Sequence, residues 1–348
     1  MQVSNLTEAR CPLRIKWIRP ALAVIAALVI IFIALAAVAL GPASIPPEGK
    51  LFEISKGASA SRISTELEGA GIVKSGFAFS LLLKIDGAAS HIKAGRYKAQ
   101  PGMSSAGILS MIREGKQELE RVTFKEGGTL SEVASLLEAR GIAGAADFSK
   151  AAHDRELLAR LGVPGNSAEG YLFPDTYLFP LEFGSPAVLA SMVGRFKERL
   201  KEIAGSGAMK GEDIRDKVVL ASIIEREYRL TEEAPLISSV FVNRLRIGMG
   251  LQSCATVVYV ITERLGKPHP EIVYDRDLKL DDPYNTYIHR GLPPGPISNP
   301  GMVALRAAFE PASTKWLYFR LVDPERGAHH FSSTLEEHLG AARLAVKR

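Results

Sequence analysis

Cysteine is nearly absent. Only Cys11 and Cys254 occur in 348 residues, so a disulfide framework is excluded and the fold must rest on a hydrophobic core, which a chain of this length can supply. Positive charge is also scarcer than the formal net charge of +5 suggests. Arg10, Arg14, Lys16 and Arg19 stand against a single Glu8 in the first twenty residues, leaving only about +2 elsewhere, too little for a nucleic-acid surface. The histidines His269, His289, His329, His330 and His338 lack HExxH or any other recognised ligand spacing. Neither a metal nor a cofactor is therefore expected.

One stretch lacks charge altogether. Residues 21–40 are twenty consecutive apolar residues, long enough as a helix to cross a hydrocarbon core. The basic residues precede this run and the first charges after it are Glu48 and Lys50. The positive-inside rule then predicts a single transmembrane helix, with residues 1–20 in the cytoplasm and everything beyond residue 40 outside. A cleaved signal peptide is the rival, with Ala36, Ala37 and Ala39 as mimics of a cleavage site, but signal cores are usually about 7–15 residues. Cys11 precedes the apolar run, so it does not read as a lipid-attachment site.

Residues 41–50, beginning GPASIPPEG, read as a linker. Two segments then match without a gap at a spacing of seventy: 52–73, FEISKGASASRISTELEGAGIV, and 122–143, VTFKEGGTLSEVASLLEARGIA. Gly57 pairs with Gly127, Ser61 with Ser131, Leu67 with Leu137, Glu68 with Glu138, Gly71 with Gly141 and Ile72 with Ile142. Each copy predicts a short strand, a glycine turn, and an amphipathic helix opened by Ser and closed by a left-handed Gly. The second copy, with its EGxTLSEVA run, resembles the LysM modules that bind aminosugar glycans. The repeated modules are assigned to 51–164. A larger mixed α+β domain is placed at 165–348, where aromatics and Pro-Gly loops accumulate.

The chemistry concentrates at DKVVLASIIEREY, residues 216–228, where an apolar helix ends in carboxylates. On a helix Glu225 shares a stripe with Val218, Ala221 and Ser222, while Glu227 shares one with Leu220, Ile223 and Ile224. The small-residue stripe leaves room for a substrate beside Glu225, and partial burial there would keep a carboxyl protonated near neutral pH. An ion-paired helix end is the plain alternative. Thr231 is read as the cap of a second helix, 231–247. Asn285, Thr286, Tyr287 and Asn299 put amides and hydroxyls beside aromatic rings, as a sugar groove requires. Cys254 with His329 or His330 would be a thiol nucleophile pair, but nothing around Cys254 suggests an activated thiolate.

Five segments carry a resemblance: EGYLFPDTY (169–177), LASIIERE (220–227), VFVNRLRIGMGLQ (240–252), YNTYIHRGLPPGPISNPG (284–301) and GAHHFSSTLEEH (327–338). In this order, behind one membrane anchor and a LysM-like region, they resemble the endolytic murein transglycosylases of the YceG-like family. The resemblance implies a membrane-anchored enzyme that cuts the MurNAc-GlcNAc β-1,4 bond of peptidoglycan and leaves 1,6-anhydro ends, working near peptidoglycan synthases. It maps the catalytic glutamate onto Glu225. Groove residues expected beside it are Tyr171, Asp175, Asn243, Gln252, Tyr284, Asn285, Tyr287 and His329, with Asp175 alternatively a turn residue and Asn243 alternatively a helix cap. Where the family usually has Asp-Pro, this chain has Cys254-Ala255. Two other readings remain open: a peptidoglycan-binding scaffold without catalysis, and a muramidase with Asp175 or Glu227 as second carboxylate.

Overall fold

A computed structural model describes residues 15–55, 57–87, 92–204 and 211–343. Most of the expected cytoplasmic segment, including Arg10, Cys11 and Arg14, lies outside the described residues. The chain forms two compact units, Met1–Glu118 and Leu119–Arg348.

The first unit opens with α1 (Ile15–Leu40). Its stretch Leu22–Leu40 is long and apolar enough to cross a membrane, about 28 Å at the helical rise. Then follow β1 (Lys50–Ile54), α2 (Ala60–Gly69), α3 (Gly76–Ile85), β2 (Gly95–Ala99) and α4 (Ser105–Glu114). β1 and β2 pair antiparallel. Phe52, Ile63, Leu67, Phe79, Leu83, Tyr97 and Ile108 form its core.

The second unit begins with β3 (Leu119–Thr123), α5 (Leu130–Ala139), α6 (Ala145–Ala151), α7 (Arg155–Arg160) and β4 (Thr176–Pro180), and β3 pairs antiparallel with β4. The central helices are α8 (Ser185–Ala204), α9 (Gly211–Ile224) and α10 (Ala234–Arg246). Beyond them come α11 (Cys254–Tyr259), α12 (Met302–Phe309), the hairpin β5 (Tyr318–Asp323) and β6 (Ala328–Ser332), and α13 (Leu335–Gly340). One core joins Val122, Leu137 and Phe148 to Val193, Ile223, Phe241 and Leu305.

The repeat is real at the level of elements. Each copy is a strand, a turn on a left-handed glycine (Gly57 φ 77°, Gly127 φ 72°) and a helix followed by Gly71 or Gly141, both at φ 65°. A Ser caps the first helix as expected, and a Thr caps the second. Ser59 accepts from Arg62 N–H, and Thr129 forms a capping box with Glu132, because a cap must precede the first helical turn.

The compact units part at Glu118, not near residue 164. Val122, Phe124, Val133 and Leu137 of the second copy pack into the same core as α9 and α12, so that copy is a structural part of the larger unit. The second of the two expected helices is also shorter. A 3₁₀ turn occupies Thr231–Glu233 without a Thr cap, and the α-helix starts only with Pro235 in its first turn, where a missing N–H costs nothing.

Candidate active site

Helix α9 is apolar through Val218, Val219, Leu220, Ile223 and Ile224, all buried, and that burial fixes where its end projects. Glu225 N–H still donates to Ala221 O at 2.8 Å, whereas Arg226 and Glu227 close a tighter turn on Ile223 and Ile224. Glu225 is thereby held half-buried at the end of the helix. Its Oε2 accepts the N–H of Gly301, the residue before α12, at 2.9 Å. Burial, the dominant cause, pushes this carboxyl up to about 7, and Glu126 adds to the rise, while the Gly301 N–H, the Tyr228 hydroxyl and Arg226 oppose it.

The small residues of the stripe serve a different purpose from the one expected. Val218, Ala221 and Ser222 are fully buried. Ser222 Oγ accepts from Ile297 N–H and its carbonyl accepts from Ser298 Oγ, both at 3.0 Å. A Cβ on Gly170 would stand 3.1 Å from Val218 Cγ1. The space beside the stripe is thus filled by two loops of the chain, and a substrate meets Glu225 only beyond the helix end.

Those loops converge on Asn299. Its Oδ1 accepts from Gly170 N–H (2.9 Å) and Leu172 N–H (3.1 Å), and its Nδ2 donates to Gly128 O (3.0 Å) and Glu169 Oε1 (3.1 Å). Its backbone exchanges bonds with Gly127 and Gly128. Glu169, fully buried, accepts Leu130 N–H at the start of α5 with both oxygens at 3.0 Å. Desolvation pushes it up to about 8 against the pull of these donors. The β3–α5 turn is clamped onto the end of α9 in this way: a Cβ on Gly127 would lie 3.4 Å from Glu225 Cγ, and Arg226 donates to Gly127 O at 3.0 Å.

Glu227 and Asp175, the candidates for a second carboxylate, are engaged. Glu227 accepts Ser253 Oγ at 2.5 Å, and burial raises its carboxyl against the pull of Ser253, Arg244 and Arg226. Asp175 is bound by Arg195 at 2.8 Å and by its neighbour's N–H, and these contacts hold it below the usual carboxylate range against its partial burial.

A scan against family profiles matches the YceG-like family over residues 52–344. The chain belongs to that family. It is 30% identical over 310 residues to the endolytic murein transglycosylase of Bacillus subtilis, covering 82% of this chain and 81% of that one. It is 30% identical over 315 residues to the protein of the same name from Streptococcus pneumoniae strain D39, of which the match takes in 56%. A crystal structure of a YceG-like protein from Listeria monocytogenes superposes with a TM-score of 0.53 at 32% identity, over 85% of this chain and 99% of the other.

Several family-motif residues expected in the groove instead build its supports. Tyr171 is 2% exposed, its ring edge-on to Phe196. Asn285 is fully buried, donating to Leu278 O and Leu280 O and accepting Tyr287 N–H. Asn243 neither caps its helix nor faces a groove, because its Nδ2 holds Thr314 O and Trp316 O at 3.0 Å each and so leads the chain into β5. The side chain of His329 is 5% exposed and paired with Glu233 at 2.6 Å. A polar side chain buried this deeply is used up in satisfying its surroundings. Tyr284 remains at a surface, its ring tilted against that of Tyr259 and under the Arg264 guanidinium, on a cleft of about 740 Å³ that Arg155 and Arg215 also line.

Gln252 stays exposed and takes a left-handed backbone, φ 49°, a conformation that costs a non-glycine residue about 1–3 kcal/mol. Ser253, held by Glu227 and by Thr286 Oγ1, and Arg244, which donates to Leu251 O at 2.6 Å, impose it. Cys254 and Ala255 then form the first turn of α11, a place that also accepts proline. The Pro-to-Ala change therefore leaves the helix start intact. The chemical difference lies at Cys254, exposed, with Sγ 3.1 Å from Tyr287 Oη.

Proposed function

We propose that this chain is an endolytic murein transglycosylase with Glu225 as its single acid and base. The observation that carries the proposal is a half-buried carboxyl held by the Gly301 N–H at the end of α9, which burial pushes up to about 7. The relatives that bear this name and match most of the chain support it. Oε2 is committed to the Gly301 N–H, so the transferable proton rides on Oε1. Glu225 gives this proton to the glycosidic oxygen of the MurNAc-GlcNAc β-1,4 bond as the C1–O bond breaks. The C6 hydroxyl of the same muramic residue then bonds to C1, and Glu225 takes its proton. No water is consumed, the product end is a 1,6-anhydro sugar, and one carboxyl serves both transfers.

The commitment of Asp175 to Arg195 and of Glu227 to Ser253 weighs against either as the second carboxylate of a hydrolase. Gln252 and Tyr287 remain the groove residues on the α11 side, and Tyr284 a more distant one. The two helical segments bounded by the pairs β1–β2 and β3–β4 are read as LysM-like holders of the glycan. The helix α1 is read as an anchor with its N-terminus in the cytoplasm, which places the active unit where new strands leave their synthases. Borohydride labelling of digested peptidoglycan tests the reaction type: reducing ends take up label and anhydro ends do not. Label appearing in step with cleavage would replace this reading with a hydrolytic one.

A further inference from the structure

The turn between β3 and α5 brings a carboxylate to the site that the mechanism above does not use. Glu126 is exposed, next to the buried Gly127 that touches Glu225. Its side chain lies flat against Gly301, where a Cβ would collide with Glu126 Oε1. The same Gly301 donates its N–H to Glu225 Oε2 at 2.9 Å. Two carboxylates therefore flank one glycine. Among the described residues no salt bridge engages Glu126. The groups facing Glu225 are Glu126 from the β3–α5 turn, the Gly301 N–H before α12, and Arg226 and Tyr228 from its own segment.

We propose that Glu126 is a positioning residue for the reaction, an anion fixed by Gly127 and Gly301 beside Glu225 to control when Glu225 holds and releases its proton. Like charges at close range disfavour the state in which both are ionised. Before cleavage the repulsion keeps the proton on Glu225. After the proton has gone to the leaving oxygen, the repulsion makes the Glu225 carboxylate a stronger base toward the C6 hydroxyl. Gly301 is needed at its place because any side chain would push Glu126 away, and its φ of −80° gives no conformational reason for glycine. This inference rests on the transglycosylase reading for its meaning, but the charge coupling can be measured without turnover.

The test uses the full chain in detergent micelles with carboxyl-13C glutamate, the Glu225 resonance being identified by its loss in Glu225→Gln. In Glu126→Gln the Glu225 titration midpoint is expected to fall by at least about 0.5 unit, a threefold change in proton affinity, and the alkaline limb of the kcat/KM profile is expected to move down with it. Glu126→Asp, which keeps the charge, should hold both near the wild-type position, and serves if the Gln variant folds poorly. An unchanged Glu225 midpoint in folded Glu126→Gln overturns the inference. If instead the midpoint moves but Glu225→Gln still cleaves glycan, the two carboxylates are coupled but Glu225 is not the catalyst, and the part given to Glu126 in the reaction falls with that assignment.

Discussion

A carboxyl that titrates at about 7 is half protonated at neutral pH, and this sets two expectations for Glu225. Glu225→Gln keeps the Gly301 contact but has no proton to exchange, so turnover should fall by about 10²–10⁴-fold, as followed by release of soluble fragments. In the wild type the first step needs the acid form. The kcat/KM profile should therefore fall as pH rises through about 7, whereas an unperturbed carboxyl would already have lost activity near pH 4–5.

At this scale the motifs at 169–177, 220–227 and 284–301 mark segments that the structure brings together, but they do not fix the use of each side chain. Glu225 stood out because it ends an apolar run. Tyr171, Asn285 and His329 did not enter the groove, because amides and rings suited to a sugar equally suit a buried loop, and only tertiary packing decides between them. Glu126 was missed although the sequence held a hint: the two repeat copies agree at their turn glycines yet Lys56 stands where Glu126 stands.

The element that shapes the site is the second strand–turn–helix copy. Gly127 sits at φ 72° with Glu225 Cγ 3.4 Å from its Cβ position, so Gly127→Ala should cost about 1 kcal/mol or more in stability and displace Glu225. A thermal melt and a turnover assay would show both effects. Glu169 ties the start of α5 to Asn299 and is pushed up to about 8 by burial. Its folded-state pKa lies above the unfolded value, so its contribution is full at low pH and is lost as pH rises from about 4.5 to 8. Glu169→Gln, neutral throughout, should therefore gain in melting temperature relative to wild type as pH rises across that window. Melts at pH 5 and pH 8 measure the difference, and a constant offset would contradict the assignment.

The strand, turn and closing glycine of each copy were legible because left-handed turns and amphipathic periodicity are local demands. The fusion of the second copy with the larger unit was not legible. Nothing in the periodicity of 130–139 says that its apolar face meets α9 rather than a partner copy.

For the whole molecule, topology is the prediction that follows from α1 and its flanking charge. Both cysteines are natural probes. Cys254 is exposed and belongs on the outer side in this account, so a membrane-impermeant maleimide added to intact cells stripped of their outer layers should label it. Cys11 should react only after the membrane is opened. The reverse pattern would invert the anchor and separate the site from its substrate. The length of the apolar run made a helix long and apolar enough to cross a membrane legible from sequence alone, whereas the partition into units at Glu118 depended on long-range contacts that no local pattern encodes.

The most direct test of the central claim is mass spectrometry of the soluble products released from purified peptidoglycan by the full chain in micelles, beside Glu225→Gln. The account predicts fragments ending in 1,6-anhydro-MurNAc, lighter by one water than their reducing counterparts, and their loss in the variant. Reducing-end fragments from the wild type, or anhydro fragments that persist in Glu225→Gln, would contradict it.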